Sequence, residues 1–414
     1  MSDPVSPDSN DQRAFALDVV RRLREAGYEA LWAGGCVRDL LLDRVPGDYD
    51  VATNAHPHEV RTVFGKSRTL AIGASFGVIV VLPPTKSAGQ VEVATFRSDG
   101  QYVDGRRPES VIFSSAEEDA QRRDFTINGM FYDPIDENVI DYVGGETDLS
   151  SGLLRAIGDP TARMTEDKLR MLRAVRFTST LGFKLEPQTA DAIRSMAAEL
   201  NVVSAERITQ ELKKMLIGPD PALSIRLADD VDLLRSFLPE LETESALNQT
   251  VDMLRTLDEP SFCLAAAVLF HSLEQSTVAT VCRRLRFSNH EADAICWLVE
   301  HMDSLENAAS HPLSRLKRLL VCPEIHDLFL LVRARQLATG ESVSDVEFCE
   351  KFLHETPADI INPQPLLTGN DLIQMGLQPG VRFKQIIDAV RDEQLDQRIS
   401  THEQAFECAR RMID

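Results

Sequence analysis

The sequence predicts an α+β chain in which a mixed head is followed by a long all-helical body. Two observations predict it. Runs rich in β-branched residues and bounded by Gly or Pro are confined to about the first 155 residues, whereas from about 160 onward nearly every segment carries apolar residues at three- and four-residue spacing. In the head, "DQRAFALDVVRRLREAG" is periodic for a helix with Gly27 as its stop, and "EALWAGG" is a short strand running into the helix "CVRDLLLD". "DYDVAT", "FGVIVVLP" and "GQVEVATFR" are strand-like. "SDGQYVDGRRPESVIF" is polar and turn-rich, a mobile loop ending in a strand. "SAEEDAQRRDFTINGMFYD" starts as a helix, and "NVIDYVGG" is a further strand. Beyond them "TEDKLRMLRAVRFTSTLG", "PQTADAIRSMAAEL", "SAERITQELKKMLIG", "PALSIRLADDVDLLRSF" and "FCLAAAVLFHSLEQ" are helices, and helical character continues to the end except at "TPADIINPQPLLTG".

Composition narrows the class. At 414 residues and 43% hydrophobic the chain can bury several cores, and no apolar run approaches the roughly 18 residues of a membrane span. The first 12 residues are polar, acidic and proline-bearing, a loose tail rather than a signal peptide. Seven cysteines stand singly without a C-x-x-C pair, which fits reduced thiols and a cytoplasmic protein better than disulfides or zinc. The net charge of −21 speaks against a nucleic-acid partner on average. Residues 151–184 reverse it locally, with seven basic side chains against three acidic ones, a net +4.

Two constellations carry chemistry. In a strand, Asp48 and Asp50 share a face while Tyr49 points away, and paired carboxylates suit a hard divalent cation such as Mg²⁺. Glu92, on "VEVATFR", could add a third from a neighbouring strand. A D-x-D pair alone is more often a solvated pair beside a turn. It gains weight from Gly34-Gly35, which let backbone approach an anion at a helix start, with Arg38 one turn in. The second constellation is Asp167, Arg170, Arg173 and Arg176, at steps of three, a slanting ridge if the segment is one helix. Such a run is commonly a solvated face with i,i+3 ion pairs. It has a sharper use: a carboxylate accepts from an exocyclic amine and a guanidinium donates to ring nitrogen and carbonyl. Cytosine and adenine complement that pair; uracil and guanine do not.

"GGCVRD", "GDYD", "VEVATFR", "RRDFTINGM", "GDPTAR", "TEDKLRMLRAVRF" and "SAERITQEL" occur in the order seen in class II tRNA nucleotidyltransferases, a group that includes CCA-adding enzymes and bacterial poly(A) polymerases. The resemblance is strong over about 30–216 and returns at "LLTGNDLIQMGLQPG". It implies a five-stranded mixed-sheet nucleotidyltransferase head over 13–158, after a disordered tail over 1–12. A helical neck over 159–217, a body over 218–358 and a tRNA-binding tail over 359–414 would follow. It also implies that Asp48, Asp50 and Glu92 are catalytic, with Asp48 and Asp50 holding Mg²⁺, two ions in all. Gly35, Arg38, Arg123, Asp124, Asn128, Asp167, Arg170, Arg173 and Arg176 would bind the nucleotide.

The implied partners are CTP, ATP and the tRNA 3′ end, with no membrane; a homodimer is left open. "TLAIGASFGVIVVL" is closer to CCA enzymes than to the basic run of poly(A) polymerases, the C-terminal "FECARRMID" is short, and "TFRSDGQYVDGRRPESV" resembles the flexible loop of enzymes that add the terminal A. Poly(A) or A-only addition is the alternative, and a non-catalytic RNA-binding relic is disfavoured because every motif carboxylate is present. "LAAAVLFHSLEQ" echoes an HD phosphohydrolase helix, but Ser272 follows His271 where a second metal ligand would stand, so no phosphatase activity is expected.

Overall fold

A computed structural model describes residues 9–85, 88–99, 111–241 and 243–413. The chain divides into two compact units, Met1–Pro239 and Glu240–Asp414. Strands are confined to the first unit among the described residues, and the second is built of helices. The α+β segregation therefore follows the hydrophobic periodicity.

The head is organised by one mixed sheet. Its strands are β1 (Ala30–Ala33), β2 (Asp50–Thr53), β3 (Thr69–Gly73), β4 (Val78–Val81) and β5 (Val91–Thr95). After the hairpin of β6 (Arg97–Asp99) and β7 (Val111–Phe113), β8 (Phe131–Asp133) and β9 (Asn138–Ile140) complete it. The order is β3-β4-β5-β2-β1-β8-β9, so the sheet has seven strands where five were expected. β3 escapes a periodicity reading because it is an edge strand with no alternation, its middle three residues all exposed. β8 escapes it because it is only three residues long and follows a helical stretch. Only β2 and β5 run parallel; every other pairing in the sheet is antiparallel. All four residues of β1 are buried at the centre, and Leu31, Ala33, Ala52, Phe96 and Phe131 form a core with Ala116 and Ala120.

Three further expectations need correction or limits. The helix Ser9–Glu25 takes in residues 9–12, which were expected to be loose; residues 1–8 lie outside the described residues. The mobile loop expected over 98–113 falls mostly on 100–110, also outside them. The segment read as one helix over 165–182 is two, Pro160–Glu166 and Leu169–Leu181, with Asp167 extended between them (φ −147°, ψ 106°). The break has a local cause. The Asp167 carboxylate accepts the Leu169 N–H at 3.0 Å, so an acidic side chain competes for backbone groups that a continuous helix would use.

In the second unit His271 is buried just beyond the helix Phe262–Leu269, with Nδ1 2.9 Å from the Val268 carbonyl, and burial pushes its pKa down. All seven cysteines are free thiols. No helix among the described residues is long and apolar enough to cross a membrane.

Candidate active site

A cavity of about 590 Å³ in the head-containing unit is lined by Gly34, Gly35, Arg38, Asp48, Asp50, Arg122, Arg123, Asp124, Asn128, Asp167, Arg170, Arg173 and Phe177. Stretches more than a hundred residues apart in sequence thus meet in one place. Five arginines face four aspartates there, a net +1 inside a chain of −21.

The acidic floor comes from Asp50, the first residue of β2, and from Asp48, just before the strand begins. Tyr49 is buried and packs edge-on against Trp32, with ring centroids 4.8 Å apart, which turns Asp48 and Asp50 outward into the cavity. The parallel register sets Glu92 of β5 opposite Asp50, beside the cavity rather than among its lining residues. Asp50 keeps part of its surface open, yet the surrounding fold withdraws water from its carboxylate. With Asp48 and Glu92 adding like charge against the opposing pull of Arg123, its pKa is pushed up to about 7. Repelling oxygens of this kind suit a hard cation, so Asp48 and Asp50 fit Mg²⁺. Among the described residues no three His, Cys, Asp or Glu side chains stand close enough to form a closed cage.

Gly34 closes β1 with φ 74° and ψ −128°, a region essentially reserved for glycine, and a Cβ there would lie 3.0 Å from Arg123 Nη1. Gly34→Ala is therefore expected to destabilise the protein by about 1–3 kcal/mol and to displace Arg123, measurable as a lowered urea midpoint with an unchanged slope.

The cationic wall is held by acceptors. Arg38 donates to Asn128 Oδ1 at 2.7 Å and to Asp39 Oδ1 at 2.7 and 2.9 Å. Asn128 in turn donates to Asp124 Oδ1 at 3.1 Å, and Asp124 Oδ2 accepts Arg173 at 2.5 and 2.9 Å. Burial alone would raise the Asp124 pKa, but the Arg173 guanidinium overrides it and holds the carboxyl at about 2. Asp124 and Asn128 thereby tie Arg38 to Arg173. Buried Asp119, which the motif reading passed over, takes Arg122 at 2.7 Å and Arg123 at 2.9 Å and fixes both.

The expected ridge is realised differently. Asp167, outside the helix, pairs with Arg207 at 2.6 and 3.1 Å rather than with Arg170. Arg170 donates to Glu166 at 2.5 Å and to the carbonyls of Arg163 and Arg122 at 2.9 and 3.1 Å. Both still line the cavity, as does Arg173. Arg176 does not; it pairs with buried Glu211 at 2.6 Å, so the nucleotide contact expected of it is not seen in the geometry. Arg207 and Glu211 both belong to "SAERITQEL", whose function local patterning left unassigned.

Known proteins match this chain along most of its length. The Poly A polymerase head domain matches residues 30–155, a probable RNA and SrmB-binding site of polymerase A matches 182–244, and the putative tRNA nucleotidyltransferase domain 2 matches 258–409. The CCA-adding enzyme of Lactobacillus helveticus (strain DPC 4571) is 31% identical over 406 residues, 95% of each chain. This chain belongs to the CCA-adding enzyme family. A second family member, from Geobacillus thermodenitrificans (strain NG80-2), is 46% identical over 227 residues. That match takes in 55% of this chain and only about half of the relative's length, 54%. Among solved structures, the Bacillus stearothermophilus CCA-adding enzyme in complex with CTP superposes with a TM-score of 0.78 at 28% identity, covering 99% of this chain and 98% of that one. The Thermotoga maritima CCA-adding enzyme complexed with tRNA shares the fold at a TM-score of 0.67 and 21% identity, covering 97% and 95%.

Proposed function

We propose that this protein adds C, C and A to the 3′ end of tRNA from CTP and ATP, releasing pyrophosphate at each step. One observation carries the reading: what Asp167 and Arg170 have left to offer. A carboxylate has about four acceptor sites. Asp167 spends two on Arg207 and one on the Leu169 N–H, which leaves one. Of the five guanidinium protons of Arg170, the contacts to Arg163, Glu166 and Arg122 use three, leaving two. One acceptor beside two donors matches the N4 amine, N3 and O2 of cytosine, and the N6 amine and N1 of adenine. It opposes the O4 and N3–H of uracil.

The triphosphate lies against Arg38, Arg123 and Arg173, with the backbone of Gly34 and Gly35 admitting it closely. Asp48 and Asp50 hold Mg²⁺, two ions, with Glu92 beside them as the third carboxylate. When bound, the metal lowers the pKa of the primer 3′-hydroxyl and offsets charge on the leaving pyrophosphate. The arginines orient the α-phosphate for in-line attack and stabilise the charge that develops on it. Residues 13–158 form the catalytic head, 159–217 the base-reading neck, 218–358 a body that grips tRNA mainly through phosphates, and 359–414 the tail of the same RNA surface. The free thiols fit a cytoplasmic setting.

Product length tests this directly. With Mg²⁺ and tRNA lacking its last three residues, CTP alone should give two additions and CTP with ATP three, then a stop. A long ladder from ATP alone would move the protein to poly(A) addition.

A further inference from the structure

The aromatic ring of Phe177 lies at the meeting point of three cations. The Cζ of Arg176 is 4.1 Å from its centroid, and those of Arg38 and Arg173 are each 5.2 Å away. All three fall within the distance at which a guanidinium is attracted by an aromatic quadrupole. The ring is 8% exposed, lines the cavity, and is backed by Phe125 in an edge contact at 5.9 Å.

Each arginine also has its own acceptors: Asp39 and Asn128 for Arg38, Asp124 for Arg173, Glu211 for Arg176. The hydrogen bond from Asn128 to Asp124 already links Arg38 to Arg173 through their acceptors, while Arg176 is held apart on Glu211. Phe177 is what the three have in common, and it offsets the repulsion of like charges brought together before any phosphate arrives. A leucine of similar size would fill the space without that attraction.

We propose that Phe177 is a positioning residue for the incoming nucleotide. It holds Arg38, from the helix that follows β1, and Arg173, from the helix Leu169–Leu181, at one spacing so that both meet the same triphosphate. The inference rests on the nucleotide-addition reading of this cavity and assigns a task to a largely buried apolar side chain.

The test replaces Phe177 with phenylalanines bearing one, two and three fluorines, which drain the ring's negative face while keeping its shape. The KM for CTP and for ATP should rise stepwise, to about tenfold at three fluorines, with kcat, the KM for primer RNA and the melting temperature unchanged. Phe177→Leu should raise both nucleotide KM values at least as far, and Phe177→Tyr should stay within about twofold of wild type, since its ring keeps the attraction. A flat KM across the fluorine series, or a change in kcat alone, overturns the proposal; should Phe177→Leu fail to fold, the series decides. A wild type that incorporates no nucleotide refutes the nucleotide-addition reading instead, and the same series read as the Kd for CTP then decides the role of Phe177.

Discussion

Asp50→Asn is expected to lower CTP incorporation by about a thousandfold or more while leaving the protein folded, and in EDTA more stable than wild type above neutral pH. The activity loss follows from removing one of the two carboxylates, Asp48 and Asp50, that fit the metal. The stability gain follows from crowding: Glu92 lies opposite Asp50 in the sheet, Asp48 lies just before the strand, and Asp50 is the one whose pKa rises to about 7. Between the ordinary carboxylate range near 4 and that value, the folded metal-free protein keeps a proton that the unfolded chain has released. Wild type should therefore lose stability as pH rises through this window, and the loss should level off above it. Asparagine carries no such proton, so thermal melts of the variant in EDTA should lack that component of the slope. A variant that retains turnover would remove Asp50 from the metal site. One that is inactive but melts below wild type at pH 8 would show the aspartate to be structural.

The same pair shows what the sequence made legible. Alternation puts Asp48 and Asp50 on the cavity side and Tyr49 in the core, because it depends only on neighbours, but the strand itself begins only at Asp50. Gly34, Arg38, Asp124 and Asn128 were legible as ordered motifs, and they do converge. What holds them was not. Asp124 reaches Arg173 across 49 positions, Asp167 reaches Arg207 across 40 and Arg176 reaches Glu211 across 35, and no local spacing encodes such partners. The ridge misled for a related reason: steps of three imply one face only while the helix continues, and an aspartate that takes the Leu169 N–H ends that continuity. Phe177 is apolar, and nothing in its local sequence marks it as more than a core residue. Its burial agrees, but the three arginines around it come from two parts of the chain.

Asp167→Asn should lower the preference for CTP over UTP by about 10- to 100-fold while Arg170→Ala weakens binding of both. The difference lies in what each side chain leaves available. The substituted asparagine can keep its amide oxygen on Arg207 and turn its NH₂ into the cavity, so the position that accepted an amine now donates. Uracil O4 gains a partner there, and cytosine N4 faces a second donor with its own proton unmatched, which costs as much as an unpaired buried group, about 1–3 kcal/mol. Arg170 speaks to O2, which cytosine and uracil share, and to N3, where they differ; its loss removes attraction for both and only part of the discrimination. Arg207 supplies the control. Arg207→Gln releases the Asp167 carboxylate from its fork but keeps its charge, so KM for CTP should rise with the CTP/UTP ratio falling less than in Asp167→Asn. Single-turnover incorporation with each nucleotide measures these ratios. A CTP/UTP preference that survives Asp167→Asn intact would mean that the base is read elsewhere in the cavity, and that Asp167 with Arg207 serves only to fasten the break between the two helices.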